Sequence, residues 1–268
     1  IRTNIGIGHV KYKTFTSEND HIQPLDKKNK ESKIVSMVHN GNIPNTPYYD
    51  SQYILDFLCS DSNNFIDNLI NLIKTIEVSY NLLIMYDNKL YIVRDRHGIR
   101  PLSMVHDTDT GNYYISSETI AFDHLKLKSN TTKLLDDVSP GTIIEISSNG
   151  MKTIYSHPIV VNKLCVFELL YFMNPNSKIN GGYVYETREK LGKLLALCEN
   201  IINIKDKKYT VIGIPNSGIV SAKSYARTIG IDYEQLIEKK DKSENGLDRT
   251  FILQNNTKRV EACRKKFL

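Results

Sequence analysis

The sequence predicts an α/β fold, with a layered sandwich in residues 1–158 and a second domain in residues 164–268. Two stretches with apolar residues on one helical face are embedded in a series of short apolar runs, which predicts helices among strands. Dipeptides rich in Asn, Asp, Gly and Pro separate those runs, as expected for turns. Near residue 215, an apolar run, a glycine-containing turn and a helical stretch follow one another, which is a unit common in α/β proteins.

The composition is that of a globular protein. The chain has 268 residues, of which 40% are apolar and 24% charged, enough for one large domain or two ordinary ones. The net charge of +5 comes mostly from scattered lysines, with one dense basic cluster at Arg259 and 264–266. This pattern favours small anionic ligands over nucleic acid, and no apolar run reaches the length of a membrane span. We therefore expect neither a nucleic acid nor a membrane as partner.

The cysteines are far apart and form no C-x-x-C pair; they are Cys59, Cys165, Cys198 and Cys263. This spacing predicts reduced thiols in a cytoplasmic protein and no complete zinc site. The sequence starts at Ile1 rather than at Met, and it stops just after a basic segment. We expect it to be a piece of a longer protein.

Two helices and several strands are expected in residues 1–158. Residues 4–10 are interpreted as a buried strand and residues 26–32 as a charged loop. One helix, with Ile54, Leu55 and Leu58 on its apolar face, begins near Asp50, and a second covers 65–76. Further strands are expected at 80–86, 90–94, 102–106, 113–117, 142–146 and 151–155, with turns at 87–88, 139–141 and 149–150.

Residues 35–43 are central to the functional interpretation. An apolar strand leads directly into Asn40-Gly41, a dipeptide that readily adopts positive φ and turns a backbone sharply. Such a turn can aim a backbone N–H and an Asn side-chain amide at one point, as an oxyanion hole for acyl transfer requires. When the dipeptide is taken alone, an ordinary hairpin turn is the simpler and favoured interpretation.

Three more side chains are candidates for ligand binding, each with a simpler alternative. Lys11 and Thr14 offer a cation and a hydroxyl after the strand 4–10, although a solvated lysine is the simpler interpretation. Asp50 is a good N-cap for the first helix, and its carboxylate could instead bind a substrate ammonium group. Residues 94–102 form a charged loop around Gly98, whose arginines are expected to pair with Asp95 or Glu118.

The second half begins with residues 164–172, which are apolar almost throughout and are expected to lie between two domains. Glu168, buried there, would need a partner such as an arginine. A helix over 184–202, a continuous apolar strand over 209–214 and a helix over 219–229 that ends at Gly230 are expected next. The turn 215–218 offers backbone N–H groups and a helix dipole to phosphate. Residues 239–268 are expected to form a mobile loop.

Taken together, these segments resemble the amidophosphoribosyltransferase family. Nine motifs occur in the family's order and cover nearly the whole chain: 8–12, 39–42 (His-Asn-Gly-Asn), 49–51, 94–102, 116–118, 138–141, 167–172, 214–217 and 249–252. The first few are shared with other glutaminases that have an N-terminal nucleophile. The motifs within 98–102, 167–172 and 249–252 point to the phosphoribosyl enzyme.

For the first domain, the resemblance implies an N-terminal-nucleophile αββα sandwich that releases ammonia from glutamine. Asn40 and the N–H of Gly41 would form the oxyanion hole. Asp50 would hold the ammonium group of glutamine, and Lys11 its carboxylate with help from Thr14. For the whole protein, we expect a homo-oligomer.

For the second domain, the resemblance implies the start of a type I phosphoribosyltransferase fold, in which ammonia displaces pyrophosphate from phosphoribosyl pyrophosphate bound with Mg²⁺. The turn 215–218 would cradle pyrophosphate, with Ser217 near the metal. The segment from Lys239 to Phe267, which includes Arg249, would be a flap that closes over the sugar phosphate. Some members carry an iron–sulfur cluster, one ligand of which would match Cys165, but we do not expect a cluster here.

Some residues depart from the family pattern. The family's nucleophilic N-terminal cysteine is not in this sequence, and none of its four cysteines can replace it. Lys11 stands where the family has arginine, so the two-pronged fork that fits a carboxylate is lost. Gln52 stands where the family has glutamate. Two alternatives therefore stay open: a different glutamine amidotransferase, or a catalytically inactive homologue that binds glutamine or nucleotide.

Overall fold

The computed structural model describes residues 4–10, 22–61, 63–125, 127, 130–135, 137–199, 209–238 and 256–264. They belong to two compact units, one with the described residues up to Glu168 and the other with those from Leu169 onward. The division between the units falls within the apolar segment 164–172. No helix in the described ranges has both the length and the apolar character needed to cross a membrane.

The described part of the first unit contains two helices and two antiparallel sheets. Its elements are β1 Leu25–Lys28, β2 Ile34–Asn42, α1 Asp50–Leu58, α2 Phe65–Thr75, β3 Ser79–Tyr86, β4 Lys89–Arg94, β5 Ser103–Asp107, β6 Asn112–Ser116, β7 Thr132–Leu135, β8 Thr142–Ser147 and β9 Gly150–Ser156. A six-stranded sheet has the order β1-β2-β3-β4-β8-β9, and a three-stranded sheet has the order β6-β5-β7. A short 3₁₀ helix, Thr119–His124, contacts β5 and β6.

The six-stranded sheet lies between two hydrophobic cores because its central strands are apolar on both faces. On β3, Leu82 and Ile84 pack into a core shared with α1 and α2, whereas Leu83 and Met85 pack against a second core shared with the three-stranded sheet. Successive side chains of a strand point to opposite faces, so a continuous apolar run fills both layers. The result is a helix layer, a large sheet and a smaller sheet, stacked in that order.

Both predicted helices of the first unit are present. The side chain of Asn64 accepts a hydrogen bond from the Asp67 N–H at 2.9 Å and caps α2, which explains where that helix begins. The cap of α1 is different from the prediction. Tyr49 occupies the N-cap position without a side-chain bond, and Asp50 is the first helical residue. Asp87 and Asn88 both have positive φ, so the predicted turn between β3 and β4 is confirmed.

Four sequence-based expectations for the first unit are wrong. Residues 4–10 are not a strand, and their side chains alternate between exposed and half-buried. The predicted loop 26–32 contains most of β1, because Leu25 packs against the helix-side core despite its charged neighbours. Strand β7 was not expected at all. Asn40-Gly41 forms no turn: β2 continues through both residues to Asn42, and all of them pair with β3.

The second unit is described by short strands and three α-helices, which are β10 Lys178–Ile179, β11 Gly182–Tyr183, α3 Val184–Cys198, β12 Val211–Ile212, α4 Ile219–Ile229, β13 Tyr233–Glu234 and α5 Asn256–Arg264. Strands β12 and β13 pair in parallel across α4. Helix α4 ends as predicted, with Gly230 at φ 75°. Helices α3 and α4 pack closely, and the Ser224 hydroxyl donates to the Glu189 carbonyl at 2.7 Å.

Two expectations for the second unit are wrong. The run 209–214 is not a continuous buried strand, since only Val211 and Ile212 pair and Ile214 is 68% exposed. Within the expected loop 239–268, residues 256–264 form α5, although the side chains described there are exposed. Residues 168–172 form a π-helical turn in which Glu168 is buried as predicted, while Phe167 and Phe172 are largely exposed.

Candidate active site

The N–H of Gly41 points to an edge of the six-stranded sheet that none of the described strands covers. Gly41 faces Tyr80 on β3, but the Tyr80 carbonyl accepts from the Asp95 N–H on the opposite side. In an antiparallel pair, both residues then direct their backbone groups away from each other. On its other side, β2 pairs with β1 only as far as Met37, which faces Leu25. The Gly41 N–H therefore points to the edge of β2 beyond the end of β1.

The neighbouring N–H groups on this edge are satisfied by side chains. The His39 N–H donates to Gln23 Oε1 at 2.6 Å, and the Ile43 N–H donates to Asp50 Oδ2 at 3.2 Å. These alternate residues direct their N–H groups to the same edge as Gly41. The N–H of Gly41 therefore lies between two backbone N–H groups, those of His39 and Ile43, that already have hydrogen-bond partners.

The side-chain amide of Asn40 lies on the face of β2 that is turned to the smaller sheet. Its Oδ1 accepts from Arg100 Nη1 at 2.8 Å, and its Nδ2 approaches Ser117 Oγ at 3.4 Å. The NH₂ group carries two hydrogens, and the contact to Ser117 is long. A donor of Asn40 is therefore available to a ligand, next to the N–H of Gly41.

The first turn of α1 holds the Asp50 carboxylate at the end of β2. In addition to the Ile43 N–H, it accepts from the Ser51 N–H at 2.8 Å through Oδ1. Asp50 is half-buried. The Ser51 hydroxyl also donates to Oδ1, at 3.4 Å. An ionised carboxylate has about four lone-pair positions, so these three contacts leave capacity for a ligand ammonium group. The structure thus brings Asn40, Gly41 and Asp50 to the same end of β2, and their roles stay predictions.

A buried network of polar side chains lies next to Asp50 and connects β2 to the first turn of α1. His39 Nδ1 lies 2.8 Å from Ser51 Oγ, and Gln23 Nε2 donates to Ser51 Oγ at 3.3 Å and to the Tyr49 hydroxyl at 3.1 Å. Burial lowers the pKa of His39 to about 4, and the positive charge of Arg100 lowers it as well, while Asp50 raises it. The imidazole is therefore neutral near pH 7. This network fixes the start of α1 against β2.

The loop after β4 places Arg100 beside Asn40. The arginines of this loop are predicted to pair with Asp95 or Glu118, whereas the ion pairs described for Arg94 and Arg96 are with other acids. Arg94 is fully buried and pairs with Asp137, while Arg96 pairs with Glu77 at 2.5 Å. The Asp95 carboxylate instead accepts from the backbone N–H groups of His97 and Ile99 at 2.9 and 3.2 Å. Burial outweighs these bonds and raises the pKa of Asp95.

The remaining predicted site residues are either in the second unit or outside the described residues. Ser217 is half-buried in the turn 215–218, directly before α4. In that turn the Gly218 N–H donates to the Ile214 carbonyl at 3.0 Å, so this donor is already used. Lys11, Thr14, Lys239 and Arg249 lie outside the described residues. Within the described ranges, no three His, Cys, Asp or Glu side chains converge as metal ligands would.

The sequence interpretation missed Gln23, His39 and Arg100 as parts of this site. The alternation along β2 places His39 and Gly41 on one face, so a strand assignment through Asn42 would have identified His39. No sequence pattern connects Gln23 or Arg100 to β2. Their contacts arise only from the packing of segments that are far apart in the chain.

Comparison with known proteins identifies a matching domain family and several relatives. Residues 9–124 match a family described as the glutamine amidotransferase domain. Amidophosphoribosyltransferase of Bacillus subtilis (strain 168) is 30% identical over 97% of this chain and 55% of its own length. The enzyme of the same name from Methanocaldococcus jannaschii is 32% identical over 98% of this chain and 59% of its own length.

Two solved structures are similar over 94% of this chain and 55% of their own. One is described as the allosteric regulatory enzyme of purine biosynthesis, with a TM-score of 0.76 and 27% identity. The other is glutamine phosphoribosylpyrophosphate amidotransferase from B. subtilis complexed with ADP and GMP, with a TM-score of 0.74 and 28% identity. These neighbours confirm the predicted fold class.

Residues 9–124, whose described part lies within the first unit, thus match the glutamine amidotransferase domain, and a second α/β unit follows from Leu169 onward. Among proteins with this domain, the chain is a homologue of the amidophosphoribosyltransferases, so the resemblance carried by its motifs is confirmed. The chain spans about half the length of the curated relatives it matches.

Proposed function

We propose that the protein containing this chain is an amidophosphoribosyltransferase. It would transfer the amide nitrogen of glutamine to 5-phosphoribosyl pyrophosphate and form 5-phosphoribosylamine for purine biosynthesis. One observation carries the proposal: the Gly41 N–H points to the edge of β2 beyond the last described residue pair with β1, and the Asn40 amide and the Asp50 carboxylate lie at the same end of the strand. The homology to enzymes of that name supports it.

The proposed chemistry of the first unit depends on the negative charge that develops on the side-chain oxygen of glutamine. When a nucleophile adds to the side-chain carbonyl carbon of glutamine, the electron pair of the C=O bond moves to oxygen. The Gly41 N–H and the Asn40 NH₂ would donate to that oxygen, and preorganised donors of this kind typically contribute about 10²–10³ each in kcat. Asp50 would bind the α-ammonium group, while Lys11 and Thr14 would bind the α-carboxylate.

The second unit would bind the phosphoribosyl substrate. The turn 215–218 leads into the eleven-residue helix α4, whose N-terminal dipole favours a pyrophosphate group. Ser217 lies in this turn and is the proposed hydroxyl contact. Lys239 and Arg249 are proposed to close over the sugar phosphate as parts of a flap.

Magnesium is proposed to arrive with the phosphoribosyl substrate. The described residues do not by themselves fit the ion: Ser217 offers a single hydroxyl, and no three potential His, Cys, Asp or Glu ligands converge among them. For the same reason, the described cysteines do not fit an iron–sulfur cluster, which needs about four ligands. The whole protein is proposed to be a cytoplasmic homo-oligomer.

The test measures both half-reactions in the full-length protein. Glutamine with phosphoribosyl pyrophosphate should give glutamate and pyrophosphate in equal amounts. Asn40→Ala should lower the rate of glutamate formation by about 10²–10³-fold, yet pyrophosphate release should persist when ammonium chloride replaces glutamine, since the second unit is unchanged. A wild-type protein that binds glutamine but forms no glutamate would contradict the proposal and favour an inactive homologue.

A further inference from the structure

The orientation of the Asn40 amide follows from its contact with Arg100. A guanidinium group has five N–H donors and no acceptor, so the atom of Asn40 that faces Arg100 Nη1 at 2.8 Å must be the oxygen. The NH₂ group then points away from Arg100. If the amide rotated by 180°, its two N–H groups would face a cation, and the carbonyl oxygen would occupy the position of the donor. The arginine thus discriminates between two amide orientations of nearly the same shape.

The loop that carries Arg100 is held on both sides of that residue. The Ile99 N–H donates to Asp95, and the Ile99 carbonyl accepts from the Cys165 N–H at 2.9 Å. The Arg100 carbonyl accepts from Arg94 Nη2 at 2.8 Å, and the Pro101 carbonyl accepts from Asn81 Nδ2 at 2.9 Å. Three successive carbonyl groups therefore have fixed partners.

Arg94 forms the base of this loop. It is completely buried, and its guanidinium group also donates to the Gly98 carbonyl at 3.1 Å and contacts Asp137 and the Val138 carbonyl. Burying a charge is costly unless it is paired and hydrogen-bonded, and four acceptors surround the two terminal nitrogens of Arg94, so this arrangement holds the loop in one conformation. A rigid loop is what a positioning contact requires, because a flexible arginine would not favour one amide orientation.

Glu168 places negative charge near Arg100. The buried carboxyl group of Glu168 interacts electrostatically with Arg100, an arginine being the kind of partner expected for it. Arg100 lowers the pKa of His39, whereas Asp50 raises it. The guanidinium group of Arg100 thus interacts electrostatically with His39 on β2 and with Glu168 at the end of the first unit.

We propose that Arg100 is a positioning residue for glutamine hydrolysis, which holds the Asn40 amide with its NH₂ group towards the substrate oxygen. The proposal rests on the proposed function above. It assigns to the loop 95–102, which links β4 to β5, a second role in positioning the oxyanion hole. Arg100 itself need not touch glutamine, since it acts through Asn40.

The experiment uses the full-length protein and steady-state hydrolysis of glutamine. Arg100→Met removes the donor and should lower kcat by about 10- to 100-fold, as expected for loss of one charge-assisted hydrogen bond, with KM for glutamine nearly unchanged. Arg100→Lys keeps a cationic donor for this single-nitrogen contact and should recover most of the activity. Arg96→Met is the matched control, since Arg96 lies in the same loop but pairs with Glu77. It should match the wild type.

A double-mutant cycle separates positioning from general destabilisation. In an Asn40→Ala background, Arg100→Met should have no further effect on kcat, because the amide that it orients is gone. A further loss of the same size would overturn the proposal, as would an Arg100→Met variant with wild-type kcat. If the wild type and Arg96→Met form no glutamate, the proposed function itself fails and this inference fails with it.

Discussion

The Nε2 atom of His39 lies 2.5 Å from the position that a Cβ atom on Gly41 would occupy. The two residues are separated by one position on β2, so their side-chain directions share a face, and the imidazole uses the space that glycine leaves. The other ring nitrogen, Nδ1, lies 2.8 Å from the hydroxyl of Ser51, next to Asp50. One buried histidine therefore connects the edge donor of Gly41 to the start of α1.

Gly41 should not tolerate a side chain. A Cβ atom there would lie 2.2 Å from the Ser79 carbonyl oxygen and 2.7 Å from Tyr80 Cα, both of them backbone atoms. We expect Gly41→Ala to destabilise the protein by about 2–3 kcal/mol through overpacking, measured by urea unfolding. Gly6→Ala is the control, because a Cβ on Gly6 has nothing within 4 Å, and it should change stability by no more than about 0.5 kcal/mol.

Asp50 should control glutamine affinity. Replacing it with Asn keeps an acceptor for the backbone N–H groups but removes the charge that would face an ammonium group. We expect Asp50→Asn to raise KM for glutamine by about 10- to 100-fold in the full-length protein. Asp56→Asn, on the same helix, is the control because Asp56 pairs with Lys27 at 2.8 Å. Equal KM values for the two variants would show that Asp50 has only a structural role.

His39 should make the protein sensitive to acid. Its pKa is lowered from 6.5 to about 4 in the folded protein, so below pH 6.5 the unfolded chain binds the proton and the native one does not. Stability from this residue is complete above pH 6.5 and is lost as the pH falls towards 4, by about 3 kcal/mol in all. Denaturant unfolding at pH 7 and pH 4.5 measures this loss.

The variant His39→Gln should lose less stability over the same pH range than the wild type, whatever its stability at pH 7. His124→Gln removes an exposed imidazole and should leave the pH dependence of the wild type unchanged. If His39→Gln and the wild type showed the same pH dependence, the imidazole would not be the group responsible.

The contact between α3 and α4 should depend on Gly192. A Cβ atom on Gly192 would lie 2.1 Å from the Ser221 carbonyl oxygen, so the helices would have to separate. We expect Gly192→Ala to destabilise the second unit by about 1–3 kcal/mol, measured by hydrogen exchange of α4 amides. Gly182→Ala is the matched control, because a Cβ atom on Gly182 would meet only Glu186 Oε2, at an ordinary contact distance of 3.6 Å. In this variant, the amides of α4 should exchange at the wild-type rate.

Local patterns were enough to predict α1, α2, α4 and most strands of the first unit. The apolar positions of α2 recur with helical period, Asn64 caps it, and Asp87-Asn88 suits a tight hairpin turn. These signals act between residues that are close in the chain, so they can be read without knowing the fold. The ordered motifs likewise sufficed to identify the family.

Long-range packing decided the rest. The sequence alone suggested that the glycine at position 41 is needed for a turn. In the structure it lies on a continuous strand, and glycine is needed there because Ser79 and His39 leave no room for a side chain. The Arg100 contact spans 60 positions of the chain, and no local pattern encodes it. Side chains from distant segments meet only after the sheet has formed, because burial and backbone pairing choose their partners. The sequence by itself therefore determined the elements and the family, and the tertiary structure decided which groups face one another at the end of β2.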